Sequence, residues 1–279
     1  MILIVESGST KADWVLLHAD GLETKFRTKG WNPLFLTEDE MLERLSSYKE
    51  LSEKKFKAVY FYTAGVSHIK SSESLHSILS VFFSKAHIHV ESDMLAAARA
   101  VYNHTAQFVA ILGTGSNIAF YDGEELEQLT PSLGYVLGDE ASGASLGKAI
   151  LRAYLYKTLP KDLYLQFSKV YSISKDLVLQ SVHKEAHANR FLASFVPFLV
   201  EHQSHIYVQE LVRKEFYSFL KTHVLSHPLH QDYCISFVGS VAFLFQEIMN
   251  DLCKENKLKI SDFKQSPLQG LISYHKANK

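Results

Sequence analysis

Four acidic residues and two glycine turns mark where this chain of 279 residues could do chemistry. Glu6 closes the apolar run Ile2 to Val5 and opens the turn Ser7-Gly8-Ser9-Thr10-Lys11. Asp93 follows the run His87 to Val90 and begins an Ala-rich stretch, and Asp139 stands beside Glu140 directly after Gly138. A phosphate chain needs several N–H donors at close range, and glycine in a tight turn permits positive φ and removes the Cβ that would block approach. Ser9, Thr10 and Lys11 add hydroxyls and a cation to the first turn. The second, Gly113-Thr114-Gly115-Ser116-Asn117, repeats that chemistry between the apolar runs Phe108 to Leu112 and Ile118 to Tyr121. One such turn by itself is more often an ordinary hairpin tip. Two, each leaving a buried strand, predict phosphates gripped by two hairpins from two lobes. Neither fits the nucleotide loop ending in Gly-Lys-Ser/Thr or the dinucleotide fingerprint of three spaced glycines.

The carboxylates carry competing readings. By spacing alone, Asp93 is a helix N-cap whose side chain satisfies free N–H groups. Adjacent carboxylates at Asp139 and Glu140 are costly unless hydroxyls or a cation satisfy them, and a vicinal diol offers such donors. A solvated acidic turn is the alternative. His183 and His187, four apart on an expected helix, could share a metal, but no third ligand is evident and a structural or surface role is favoured.

These residues need elements to position them. Short β-branched or aromatic runs at Ile2 to Val5, Ala58 to Tyr62 and His87 to Val90 alternate with segments of helical period, which predicts an α/β sheet. Phe108 to Leu112, the glycine turn and Ile118 to Tyr121 predict a hairpin opening a second set of strands. From Ala141 to about Ser226 the pattern is helical, with Phe191, Phe195, Phe198 and Leu199 on one apolar stripe. Tyr233 to Val238 reads as a buried strand ending at Gly239-Ser240, and Pro267 to Leu271 opens a last helix.

The length allows two modest lobes, each with its own core. Lys and Arg total 29 against 30 Asp and Glu, so no strong field favours nucleic acid or an anionic membrane, and a small ligand is expected. The start, Met1 to Glu6, enters an apolar run with no basic leader, so the protein is expected in the cytoplasm. No stretch reaches the roughly 20 apolar residues that span a bilayer. Cys234 and Cys253 lack metal-type spacing, and no disulfide is expected in a reducing compartment.

Taken in order, the motifs resemble one superfamily. Glu6 to Trp14 is similar to the first phosphate motif of the actin-like ATPases and sugar kinases, Gly113 to Asn117 to the second, and Val238-Gly239-Ser240-Val241-Ala242 to the adenosine motif. Gly134-Tyr135-Val136-Leu137-Gly138-Asp139-Glu140-Ala141-Ser142-Gly143 resembles the Gly-aromatic-x-x-Gly-Asp-Glu-x-Ser signature of N-acetylglucosamine kinases and their relatives, the benzoyl-CoA-reductase-activase-like ATPases. The matches span almost the whole chain.

The resemblance implies two ribonuclease-H-like lobes, residues 1–106 with 264–279 and residues 107–263, with ATP in an interlobe cleft and a homodimer as the assembly. It implies an ATP- and Mg²⁺-dependent kinase of the 6-hydroxyl of N-acetylglucosamine or N-acetylmuramic acid. Asp93 matches the family's catalytic base, and an unperturbed pKa of about 3.9 would leave it ionised. Ser7 to Lys11 and Gly113 to Ser116 would hold phosphates, Gly239 and Ser240 the adenosine, and Asn32, Gly134, Asp139 and Glu140 the sugar. Asp139 would accept bonds from the 3- and 4-hydroxyls, while Glu140 would orient its loop or bind the anomeric hydroxyl.

Two positions depart from the pattern. Glu6 stands where an Asp is expected as the metal ligand, so its extra methylene replaces a bridging water, displaces the backbone or weakens the site. Ala141 replaces a Gly, so a positive φ there would be strained. The Glu6 departure keeps open a sugar-sensing or ATP-switch protein on the same fold. A redox-activating ATPase would need a cysteine-held iron–sulfur cluster, for which neither cysteine has a neighbour in sequence. Asn189-Arg190-Phe191, common among close relatives, is assigned packing alone.

Overall fold

The computed structural model describes residues 1–279 except 9, 34, 35, 52, 53, 67, 68 and 279, and only the backbone of residue 69. The chain divides into two compact units, Met1–Tyr102 with Pro267–Lys279, and Asn103–Ser266.

The first unit is built on strands β1 (Ile2–Ser7), β2 (Lys11–Leu17), β3 (Glu23–Lys29), β4 (Ala58–Thr63) and β5 (His87–Ser92), in sheet order β3-β2-β1-β4-β5. β1, β4 and β5 are parallel and β2 and β3 antiparallel to their neighbours. Both faces of β1 and β2 are buried, which is why β1 reads as the apolar run Ile2 to Val5 and β2 ends in Trp14-Val15-Leu16-Leu17. One face meets helices α1 (Glu38–Ser47) and α2 (Ile69–Phe82) through Leu3, Val5, Trp14, Leu16 and Phe61. The other meets α3 (Asp93–Val101) and the helix that ends the chain. Trp14 is wholly buried among Phe26, Trp31, Tyr48 and Phe61, and its indole N–H finds the Thr28 hydroxyl at 2.9 Å. A buried aromatic of this kind is worth about 1.5–3 kcal/mol, provided its polar atom is satisfied.

The second unit repeats the plan. Strands β6 (Gln107–Leu112), β7 (Ser116–Tyr121), β8 (Leu126–Gln128), β9 (Cys234–Val238) and β10 (Lys259–Lys264) lie in the order β10-β9-β6-β7-β8, with β6, β9 and β10 parallel. The helices between β8 and β9 are α4 (Gly134–Leu137), α5 (Gly143–Leu155), α6 (Lys161–Val170), α7 (Lys175–His183), α8 (Ala188–Ala193), α9 (Val196–Glu201) and α10 (Ile206–Phe219), which runs on into a π-turn, Leu220–Val224. Phe191 and the buried Phe195, Phe198 and Leu199 pack in this core as expected, but they fall on α8, the turn after it and α9 rather than on one helical stripe. Two further helices, α11 (Ser240–Leu244) and α12 (Gln246–Glu255), link β9 to β10.

The last helix, α13 (Leu268–Ala277), returns to the first unit and packs on α3. Its His275, pushed down to about 4 by burial, is neutral and takes the Tyr62 hydroxyl at 2.8 Å, while Arg99 of α3 donates to the same hydroxyl at 2.8 Å. The architecture is the expected α/β pair of ribonuclease-H-like units.

Some expectations need correction. His187 lies beyond the end of α7 with φ 65°, so it does not share a helix face with His183. No group of three or more His, Cys, Asp or Glu able to hold a metal occurs among the described residues. Nor is any helix among them long and apolar enough to cross a membrane. Both cysteines are free, and burial pushes the Cys253 thiol up to about 12.

Candidate active site

Parallel strands of one sheet present their carboxyl ends along one edge, the usual place for a ligand in open α/β sheets. In the first unit that edge is Ser7, Thr63 and Ser92, matched in register. One residue back, Arg27, Asp13, Glu6, Tyr62 and Glu91 stand directly opposite one another across the sheet. Asp13 is answered by Arg27 at 2.6 Å and Lys11 at 3.6 Å. Glu6 is not so fortunate: burial first, and the Asp13 charge second, push its carboxyl up to about 7. Arg27 carries no site signal in the sequence. Its role appears only once β3, an edge strand with alternating exposure, is paired to β2.

Asp93 begins α3 at this edge. Its capping role is filled by another residue, since the Ser92 hydroxyl accepts the Leu95 N–H at 3.1 Å. Ser92 thus answers the Leu95 N–H, and the Asp93 carboxyl takes the first two N–H groups of the helix, its own and that of Met94. Burial raises it above the ordinary aspartate value despite bonds from its own and the Met94 N–H. The expectation of an unperturbed group is thereby corrected, and a raised carboxylate is the stronger base.

The first turn also differs from expectation in detail. The Gly8 N–H closes the hairpin on the Lys11 carbonyl at 3.0 Å. Ser7 is fully buried, and its hydroxyl exchanges hydrogen bonds with the Trp31 backbone at 2.7 and 2.9 Å. Thr63 adds a bond to the same Trp31 carbonyl. The Ser7 side chain therefore fixes the backbone before Asn32, itself buried, and is not available to a phosphate. Ser9 lies outside the described residues. Thr10 and Lys11 remain exposed at the tip.

In the second unit the turn after β6 meets the Gly-Asp-Glu loop. Ser116 N–H donates to Asp139 Oδ1 at 3.2 Å, and a Cβ on Gly115 would stand 3.0 Å from Asp139 Oδ2. Burial raises the Asp139 carboxyl, an effect opposed by the Ser116 N–H and by Lys148. Lys148 also donates to the Tyr135 carbonyl at 2.5 Å, holding α4 to α5. The N-terminal Gly143 and Ala144 N–H groups of α5 bond the Gly113 and Thr114 carbonyls at 2.8 and 3.1 Å. Gly239, with φ 119°, lets β9 end against the same turn: a Cβ there would be 2.3 Å from the Leu112 carbonyl oxygen. Ser240, exposed, follows it at the start of α11. Gly113, Thr114, Gly115, Ser116, Gly134, Asp139, Glu140, Gly239 and Ser240 thus belong to one unit, while Glu6, Asp93, Asn32 and the first turn belong to the other.

The glycines separate into two kinds. Gly115 and Gly239 are demanded by the protein's own packing. Gly8 and Gly113 are not: neither has a positive φ, a Cβ on Gly113 would meet nothing within 4 Å, and one on Gly8 only the Lys11 carbonyl at 3.9 Å. Open space before both turns is what close approach of a ligand requires. Asp139 and Ala141 hold left-handed backbone at φ 59° and 61°, so the strain foreseen for Ala141 is present.

A crystal structure of a candidate N-acetylglucosamine kinase from Porphyromonas gingivalis superimposes with a TM-score of 0.92 at 37% identity, covering 100% of this chain and 99% of that one. The chain belongs to the sugar kinases of the actin-like ATPase fold. This sugar kinase shares its fold with a candidate N-acetylglucosamine kinase from Chromobacterium violaceum, at 17% identity, coverage of 98% of each chain and a TM-score of 0.64. It shares it also with a ROK-family glucokinase from Streptomyces griseus, solved with glucose and AMPPNP, at 13% identity, coverage of 99% and 98% and a TM-score of 0.57. No protein-family profile matches the chain, and no curated protein does.

Proposed function

We propose that this sugar kinase transfers the γ-phosphoryl group of ATP to the 6-hydroxyl of an N-acetylated amino sugar, N-acetylglucosamine or N-acetylmuramic acid. The observation that carries the reading is Asp93: a carboxylate raised by burial at the start of α3, one residue past the strand edge that also bears Glu6. The amino sugar is supported by the name of the Porphyromonas gingivalis protein.

In this reading the sugar 6-oxygen attacks the γ-phosphorus, the bond to the bridging oxygen breaks, ADP leaves, and the hydroxyl proton passes to an Asp93 oxygen. The loose transition state asks little of the base, and a raised carboxylate suffices. Gly8 and Gly113 spend their N–H groups closing the turns, so phosphate contacts fall to the Thr10 and Thr114 hydroxyls, the Lys11 ammonium and the other turn N–H groups. The bare backbones of Gly8 and Gly113 admit them. Gly239 and Ser240 face the adenosine. Asn32, Gly134, Asp139 and Glu140 take the sugar.

Glu6 fits a hard divalent cation, because burial and the Asp13 charge beside it raise its carboxyl, while Asp13 is already answered by Arg27 and Lys11. Bound Mg²⁺ would supply charge neutralisation at the phosphates.

ADP release measured over a panel of amino sugars, with and without Mg²⁺, tests the reading. Sugar-stimulated, Mg²⁺-dependent turnover with phosphorus coupled to the C6 protons of the product is expected. Sugar binding without turnover would instead make the protein a sensor.

A further inference from the structure

The π-turn that ends α10 delivers a side chain to the Gly-Asp-Glu loop. Phe216, Phe219, Leu220 and Val224 are all fully buried. In an unbroken α-helix the residue seven after Phe216 is His223, which would share that buried stripe. The wide turn, closed by the Leu225 N–H on the Leu220 carbonyl at 2.8 Å, gives the core position to Val224 and releases His223 to the rim. Single π-turns of this kind recur at functional sites. The released imidazole is held at both nitrogens: Nε2 lies 3.0 Å from Glu140 Oε2, and Nδ1 lies 2.7 Å from the Thr130 hydroxyl. It also lies against the Phe219 ring, with 5.0 Å between centroids.

Only one arrangement of protons satisfies all three groups around a neutral ring. An ionised carboxylate accepts only, so Nε2–H donates to Glu140, and Nδ1 accepts the Thr130 O–H. Glu140 Oε2 is thereby occupied and its direction set, which leaves Oε1 to accept from a ligand. We propose that His223, oriented by Thr130, is a positioning residue that fixes Glu140 as the acceptor for one sugar hydroxyl. The proposal rests on the sugar-kinase reading, because it needs Glu140 to face the sugar. It makes recognition depend on a hydroxyl donor at one ring position, where a substrate lacking that donor leaves the second oxygen of a half-buried carboxylate unanswered.

The test measures sugar binding by calorimetry beside turnover, for the parent, His223→Ala, His223→Gln and Thr130→Val. His223→Ala should weaken sugar affinity about tenfold, the usual scale for a lost charge-assisted bond, with kcat and the ATP KM within about twofold. His223→Gln, which restores an N–H toward Glu140, should recover most of it. Among 1-, 3- and 4-deoxy amino sugars, one should bind parent and His223→Ala equally, because it lacks the hydroxyl that Glu140 accepts. At a pH where the imidazole is neutral, its nitrogen-15 shifts should report the Nε2–H tautomer in the parent, disturbed in Thr130→Val. Unchanged affinity in His223→Ala, an equal loss in kcat and both Michaelis constants, an Nδ1–H tautomer, or an enzyme that binds none of the sugars would overturn the proposal. Sugars bound but never phosphorylated would overturn the kinase reading alone.

Discussion

The two units share a strand order yet put opposite chemistry on matching positions. One step back from the last paired residue of the leading strand, the first unit has Glu6, flanked across its sheet by Asp13 on one side and by Tyr62 and Glu91 on the other. The same row in the second unit reads Asn117, Ile111, Val238 and Lys264. One sheet edge is crowded with carboxylates, and the other carries no acid and relies on turn backbone. The second unit obtains its acids, Asp139 and Glu140, from the helical segment inserted between β8 and β9. Carboxylates on a strand, or one residue past its end as Asp93 is, are rigidly placed and suit metal and proton handling. Loop-borne ones, adjustable within a family, suit substrate selection. Substitutions of the first unit's carboxylates should therefore appear in kcat and in pH dependence, and those of the second unit's carboxylates in sugar affinity.

The sharpest break in that comparison is at Asp93. Asp93→Asn keeps the Ser92 cap and so the helix, and should lower kcat about 10²–10⁴-fold while leaving ATP affinity intact. Full turnover in the purified variant would move proton transfer out of the first unit. Next is Asp139→Ala, which removes the acceptor held by Ser116 N–H and should raise the sugar KM roughly 10–100-fold with little change in the ATP KM. Equal rises in both would erase the division of labour between the units.

Glu6 gives the next effect, through pH. Its folded value of about 7 lies above the unfolded 4.5, so the folded state holds the extra proton between those limits. Stability therefore falls as pH rises across that window, and the penalty is complete above about pH 7. Glu6→Gln should match the parent in urea melts at pH 4 and exceed it at pH 8 by an amount on the order of 1–3 kcal/mol. Mg²⁺ should narrow the gap at pH 8 by favouring the parent's ionised form. A variant no more stable at pH 8 would show that Glu6 is well solvated.

β1, β4, β6, β7 and β9 were legible as apolar or aromatic runs, and so was the edge strand β5, whereas β3, β8 and β10 were not, because they hold sheet edges with charged sequences such as Glu23-Thr24-Lys25-Phe26-Arg27. The glycine turns were visible by spacing, but their conformations were not. Positive φ was expected where the structure has open space, and the true close approaches fall at Gly115 and Gly239, set by partners distant in sequence. Asp93 looked like a cap because a serine one residue earlier is an equally good one, and only geometry separates the two. His223 gave no signal, since its place depends on one extra residue in a helical turn that periodicity does not reveal.

The smallest effect tests whether the second unit's turn serves the sugar or the nucleotide. Gly115 has ordinary backbone, so alanine there is not strained, but its Cβ would sit 3.0 Å from Asp139 Oδ2 and 3.3 Å from Cγ. The carboxylate would have to retreat by a few tenths of an ångström, lengthening its 3.2 Å bond from the Ser116 N–H. Gly113, by contrast, has nothing within 4 Å of its Cβ position, so alanine there leaves Asp139 alone and intrudes only on what approaches the turn from outside. Gly115→Ala should raise the sugar KM several-fold and spare the ATP KM, and Gly113→Ala should do the reverse. Steady-state kinetics with each substrate varied in turn decides it. If both variants lose nucleotide affinity alone, Asp139 is a partner of the phosphate turn and the sugar must be read by Glu140 and its histidine.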